Sequence, residues 1–294
     1  MRPNFFLIGA PKCGTTTVAN WLSEHPQVFM PDRPKEPQYF DTDLSPHRRF
    51  RTVVQYEALF RGATSHHRAI GEASTSYLRS RVAVPEILNY QPTSRFLVMV
   101  RNPVDMAVSV HAQLVHTMYE DLTDFLDAWN AQGERARGHR IPKNTAGEQE
   151  RLQYGAVCSL GTQLKRLYDL APSEAIKVVF LDQLRDARRV YTELLSFLDL
   201  DPHRRSDFAS ANLMKKPRSK LIAQGLHMAA VVKRKIGLAH VSTNALELIH
   251  RLNREPVEKS PLRPEEREML IDYFRDEIEL MSRITGRNLS HWMA

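Results

Sequence analysis

Phe5-Phe6-Leu7-Ile8-Gly9-Ala10-Pro11-Lys12-Cys13-Gly14-Thr15-Thr16-Thr17-Val18-Ala19-Asn20-Trp21-Leu22 decides how this chain is read. A short apolar run, a glycine-bounded loop and a hydroxyl-rich helix start follow one another, with Val18, Trp21 and Leu22 at helical spacing. That order holds phosphate, because loop N–H groups and the positive end of the following helix converge on an anion. A Walker loop reads G-x-x-x-x-G-K-[ST]. Gly9 and Gly14 keep its glycine spacing, yet Thr15 stands where the lysine belongs and Lys12 sits inside the loop. The displaced cation argues against ATP or GTP hydrolysis and for a different phosphate chemistry.

Further apolar runs at residues 96–100 and 178–181, with a weaker one at 69–73, read as buried parallel strands. Helical patterns alternate with them. One begins at Asn102-Pro103, a good cap with proline in the first helical position, and carries Val104, Val108, His111 and Val115. Others carry Leu160, Leu164 and Leu167, then Val190, Leu194 and Phe197; the last follows Pro264 with Glu265 and Glu266 in its first turn. The expected fold is α/β: a three-layer, P-loop-like architecture with a central parallel β-sheet flanked by helices and ligands at the carboxyl ends of the strands. Residues 31–37 and 131–150 read as loops, the latter as a lid or a solvated insertion. With no repeat, low-complexity tract or clear boundary, a single domain over residues 1–294 is expected.

The 294 residues suffice for a sizeable core, and a net charge of +7 favours an anionic ligand. Cys13 and Cys158 are too few for a disulfide framework and fit a reducing compartment. The amino-terminal apolar stretch is too short for a signal peptide, and no uninterrupted apolar run would span a bilayer. A cytoplasmic protein without a transmembrane segment is expected. A non-catalytic polyanion binder would also be basic, but it leaves the ordered phosphate motifs unexplained, and no nucleic-acid partner is expected.

The second chemical element is Val100-Arg101-Asn102-Pro103-Val104-Asp105-Met106-Ala107-Val108-Ser109. An arginine at the tip of a buried strand, followed by a capped helix bearing a serine, makes a second anion site: Arg101 offers a planar fork and Ser109 a hydroxyl. The plainer reading pairs Arg101 with Asp105. Two phosphate grips on neighbouring strand ends suit a nucleotide phosphorylated at two positions.

These paired elements resemble the sulfotransferase family that uses 3′-phosphoadenosine 5′-phosphosulfate (PAPS). Residues 11–16 resemble its 5′-phosphosulfate loop, and residues 101–109 its 3′-phosphate motif. Lys35-Glu36-Pro37-Gln38-Tyr39-Phe40 resembles the K-E-P-x-[YF]-F segment of the branch containing glycosaminoglycan and many bacterial sulfotransferases. Gly71-Glu72-Ala73-Ser74 with Tyr77-Leu78 resembles a segment of the same branch. Lys215-Lys216-Pro217-Arg218-Ser219 resembles a late phosphate-covering loop, and the Leu262-Arg263-Pro264-Glu265 helix running to Trp292 the family's usual ending.

The resemblance implies PAPS as donor, no required metal, and a glycan, lipid or small metabolite as acceptor. Lys12 would neutralise the bridging oxygen of the leaving nucleotide. Cys13, Gly14, Thr15, Thr16 and Thr17 would surround the 5′-phosphate, Arg101 and Ser109 the 3′-phosphate, and Lys216, Arg218 and Ser219 would close over the phosphates unless they form a basic solvated turn. Glu36 is the implied base, the alternative being that it orders Lys12 or a turn; His111 and His116 are the fallback bases. Acceptor choice is expected in residues 41–68 and 118–153. The leading rival, a P-loop kinase or NTPase, would use Asp182 after an apolar strand to bind magnesium.

Overall fold

The computed structural model describes residues 1–44, 49–145, 147–208 and 262–294, with two short strands at 215–217 and 254–256. The chain divides into two compact units, residues 212–261 forming the second. In the first unit, β1 (Phe5–Gly9), α1 (Thr15–Ser23), β2 (Val28–Phe29), α2 (Val53–Glu57), β3 (Ala69–Ala73), α3 (Ala83–Tyr90), β4 (Arg95–Val100) and α4 (Pro103–His116) come first. They are followed by α5 (Phe125–Asn130), α6 (Gln132–Ala136), α7 (Tyr154–Cys158), α8 (Leu160–Leu170), β5 (Ile176–Phe180), α9 (Ala187–Phe197) and the long α10 (Pro264–Thr285). In the second unit, β6 (Lys215–Pro217) and β7 (Arg254–Pro256) pair antiparallel, with Lys216 opposite Glu255.

The five strands of the first unit form one parallel sheet in the order β2-β3-β1-β4-β5, flanked by helices. All five residues of β1 are buried, as a strand covered on both faces requires. The chain leaves β1 to build one side of the sheet and returns to build the other. The ends of β3, β1 and β4 therefore flank the topological switch point, where α/β sheets bind ligands. The pairing of β1 with β4 shifts register between Leu7 and Gly9, where the strand gives way to the loop.

Local chemistry sets the helix starts. Asn102 caps α4 through Oδ1, 3.0 Å from the Val104 N–H, and Pro103 takes the first helical position. Asp124 caps α5 and Asp186 caps α9 in the same way. Pro264 starts α10, with Glu265 and Glu266 in its first turn.

Residues 131–150 differ from the expected loop. They contain α6 and a 3₁₀ turn at Lys143–Thr145, and a second such turn follows at Gln149–Leu152. Arg135, which reads in sequence as one of several solvated cations, is buried. Its guanidinium grips Glu120 at 2.5 and 2.7 Å, and the Tyr154 hydroxyl donates to the same carboxylate at 2.5 Å. Both charges are satisfied by a bidentate pair, which makes their burial tolerable. Residues 219–232, whose sequence reads as a helix, and the basic cluster Lys233-Arg234-Lys235 after them lie outside the described residues.

Candidate active site

The loop after β1 is clamped from both sides. The Ala10 N–H donates to the Met99 carbonyl on β4 at 2.7 Å, and the Leu78 N–H donates to the Ile8 carbonyl at 2.8 Å. Lys12 adopts φ 65° and Gly14 φ 89°, so the backbone turns twice into the left-handed region before α1 begins. Gly14 suits this turn because φ 89° strains any residue that carries a Cβ. At the loop's start, a Cβ on Gly9 would lie 2.8 Å from the Leu78 Cβ. Such successive turns, ending on a helix N-terminus, gather N–H groups into an anion-binding concavity.

The side chains of this loop divide by direction. Cys13 is buried, its thiol against the Pro11 carbonyl and the Met106 sulfur, and burial pushes its pKa up to about 12. It can serve an anion only through its backbone, with the thiol inert. Thr15 and Thr17 are buried, while Thr16 and Lys12 are half-buried.

Arg101 follows the last residue of β4 and lies beside the loop. Its Nη1 donates to the Lys12 carbonyl at 3.4 Å, while its other arm stands 3.9 Å from Asp105. Asp105 is closer to Arg267, at 3.2 Å, so the pairing that would make Arg101 merely structural is loose. Ser109 is buried further along α4. The Asn102 side-chain amide donates to the Trp292 carbonyl at 3.3 Å, tying the carboxy-terminal segment to this motif.

Glu36 lies in the segment leading to Phe40. Thr75 Oγ1 donates to Glu36 Oε1 at 3.1 Å, and Gln38 Nε2 to Glu36 Oε2 at 3.4 Å. Burial raises the Glu36 pKa, the Thr75 hydrogen bond and Arg151 oppose that rise, and Asp41 adds to it. Thr75 also borders Gly9, since its carbonyl lies 3.1 Å from where a Gly9 Cβ would stand. The Glu36 carboxylate thus approaches the base of the phosphate loop through one intervening residue.

Several site contacts have little signal in sequence. Arg79 faces Glu150 at 3.6 Å, and Arg151 pairs with Glu148 at 2.8 Å. Asp182 receives Arg287 Nη2 at 2.9 Å, so the carboxylate that the NTPase reading assigns to magnesium is engaged by a guanidinium. His111 is buried, its Nε2 lies 2.9 Å from the Leu122 carbonyl, and burial lowers its pKa, the pattern of a packed histidine. His116 is half-buried near the end of α4. Arg218 and Ser219 lie outside the described residues, and Lys216 is placed only by its backbone in β6.

A central parallel sheet flanked by helices, with a glycine-bounded loop joining β1 to α1, defines an α/β protein of the P-loop-like class. The sulfotransferase domain model matches residues 2–221, and the chain belongs to that family. A sulfotransferase from Alicyclobacillus acidocaldarius is 26% identical with a TM-score of 0.74, each chain covered in full. Mouse sulfotransferase SULT7A1, solved in complex with PAP, is 12% identical with a TM-score of 0.49, covering 95% of this chain and 86% of that one. Membrane-associated sulfotransferase kil1 of Dictyostelium discoideum is 28% identical over 109 residues, which are 36% of this chain and 22% of that protein.

Proposed function

We propose that the protein transfers the sulfuryl group of PAPS to a hydroxyl, less favourably an amine, of a glycan, lipid or small-molecule acceptor. The contact between Arg101 and the Lys12 carbonyl carries this reading, because it couples the two anion loops that a doubly phosphorylated nucleotide must occupy together. The acceptor oxygen attacks sulfur in line, and the bond from sulfur to the bridging oxygen breaks. The bridging oxygen keeps the electron pair, leaving as part of 3′,5′-ADP, while the acceptor proton passes to Glu36. Lys12 meets the charge growing on the bridging oxygen, and residues 13–17 hold the 5′-phosphate. Arg101 and Ser109 hold the 3′-phosphate. Such transfer is mostly positioning and charge stabilisation.

We read residues 1–294 as one catalytic domain, with acceptor recognition in residues 41–68 and 118–153. A cytoplasmic location is supported by two buried free thiols. No helix among the described residues is long and apolar enough to cross a membrane. The test is thermal stabilisation by 3′,5′-ADP and by ATP, each with and without EDTA. Selective stabilisation by 3′,5′-ADP that EDTA leaves intact is expected; magnesium-dependent stabilisation by ATP alone would overturn the reading. Transfer of labelled sulfate from PAPS into fractionated cell extract, read by mass spectrometry, then identifies the acceptor.

A further inference from the structure

Glu72 on β3 is 1% exposed, and the transfer chemistry above makes no use of it. Its carboxylate has no ion-pair partner among the described residues, yet three hydroxyls converge on it. Tyr56 and Tyr77 donate to Oε1 at 2.8 and 2.9 Å, and Ser74 donates to Oε2 at 2.6 Å. A hydroxyl whose proton is committed to a carboxylate faces its other neighbours only as an acceptor. Ser74 Oγ accordingly accepts the Gln38 N–H at 3.0 Å. Tyr77 Oη accepts the Tyr39 N–H at 2.9 Å and the Phe40 N–H at 3.4 Å. When ionised, the Glu72 carboxylate therefore fixes the direction of every hydrogen bond in the relay.

The receiving segment needs such a hold. Gln38 stands at φ 51°, a left-handed conformation that a non-glycine residue keeps only when its surroundings impose it. Glu36 lies two residues upstream, and its partner Thr75 sits between Ser74 and Tyr77 on the clamping segment. An apolar residue at position 72 would avoid the cost of a buried charge. It would also leave the two hydroxyls without a fixed polarity and the loop amides without assured acceptors.

We propose that Glu72 is a positioning residue, which acts through Ser74 and Tyr77 to hold the Gln38, Tyr39 and Phe40 amides and so to place the Glu36 carboxylate beside the phosphate loop. The consequence for transfer rests on Glu36 being the base; the ordering of the loop does not.

The test measures residue-resolved amide exchange together with sulfuryl-transfer kinetics in Glu72→Gln, Ser74→Ala and Tyr77→Phe. Glutamine can still accept from both tyrosines, but its amide nitrogen cannot accept from Ser74. Glu72→Gln and Ser74→Ala should therefore speed exchange at Gln38, and Tyr77→Phe at Tyr39, each by about tenfold, the size of one net hydrogen bond. The β1 and β4 amides should keep wild-type protection. Turnover should fall about tenfold or more, with the KM for PAPS within about twofold, since the effect falls on placement rather than donor binding. Wild-type exchange at Gln38 and Tyr39, acceleration of β1 and β4 in step with them, or unchanged turnover would each overturn the proposal. Glu36→Gln is measured alongside. If it transfers at the wild-type rate, the base reading fails, while the amide data still decide whether Glu72 orders the loop.

Discussion

Arg101 Nη1 donates to the main-chain carbonyl of Lys12 across 89 positions of sequence, at 3.4 Å. One arginine thereby touches the backbone of the residue proposed to meet the leaving oxygen, and the rest of its fork is the part proposed to take a second phosphate. Side-chain exposure of 18% leaves it shielded enough for a charge-assisted contact to outweigh competition from water. Arg101→Ala should weaken 3′,5′-ADP binding by about 10- to 100-fold and leave binding of 5′-AMP, which lacks the 3′-phosphate, nearly unchanged. Titration calorimetry with both ligands checks this, and equal losses would contradict the assignment. Arg101→Lys should recover only part of the loss, because an ammonium cannot reproduce the fork.

Lys12→Ala should behave differently. Its cation acts on charge that develops only as the bridging bond breaks, so turnover should drop by about 10²- to 10³-fold. The affinity for 3′,5′-ADP should change far less than turnover. Single-turnover kinetics beside equilibrium binding separate the two, and turnover near wild type would remove Lys12 from the mechanism.

Glu36→Gln should keep nucleotide binding and lose about 10²-fold or more in transfer. Burial is the main reason that the Glu36 carboxyl holds its proton above the ordinary carboxylate range. A base must be deprotonated, so kcat/KM in the wild type should fall as pH drops through that raised value. The acid limb should vanish in the variant. A full-activity variant would shift the role to His111 or His116.

Glu72 adds a pH dependence of stability with a definite sign. Burial raises its pKa from 4.5 to about 7, so between those values the folded protein binds more protons than the unfolded chain. Stability from this group is therefore greatest below about pH 4.5 and declines as pH rises through about 7, by about 2–4 kcal/mol. Urea unfolding at pH 5 and pH 8 should show this loss in the wild type and a smaller one in Glu72→Gln.

Glu120→Ala leaves the fully buried Arg135 charge without its bidentate partner. A loss of about 3–5 kcal/mol in unfolding free energy is expected. Replacing Glu120 and Arg135 together by apolar residues should cost much less, and a double-mutant cycle in urea reads the difference.

The sheet was legible because most of its strands are short apolar runs and helices such as α4 and α10 open on Asn102-Pro103 and Pro264, signals that act over a few residues. The tight loop between β1 and α1 was legible for the same reason: Gly14 and Lys12 sit in a contiguous motif, and Arg101 follows a buried strand. What stayed hidden depends on separation. Nothing near Arg135 in sequence shows that it meets Glu120 and Tyr154, so it reads as one more surface cation. β2 has only two residues, too few for a period to show. The pairing of Asp182 with Arg287 and the tie from Asn102 to Trp292 each span more than a hundred positions. Glu72 lay inside a recognised segment, yet its role emerges only once the hydroxyls of Ser74 and Tyr77 are seen pointing at it.

The anchoring of Arg135 by Glu120 and Tyr154 bears on any exchange of the segment proposed to select the acceptor. The stretch around residues 118–153 cannot be swapped for a foreign counterpart as though it were a detachable cap, because its anchor includes a tyrosine from the helix beyond it. A chimera whose junction falls before position 154 would part the Tyr154 hydroxyl from the Glu120–Arg135 pair that it completes. One that carries the helix along would transplant all three together, and libraries built on that longer cassette should retain far more folded members.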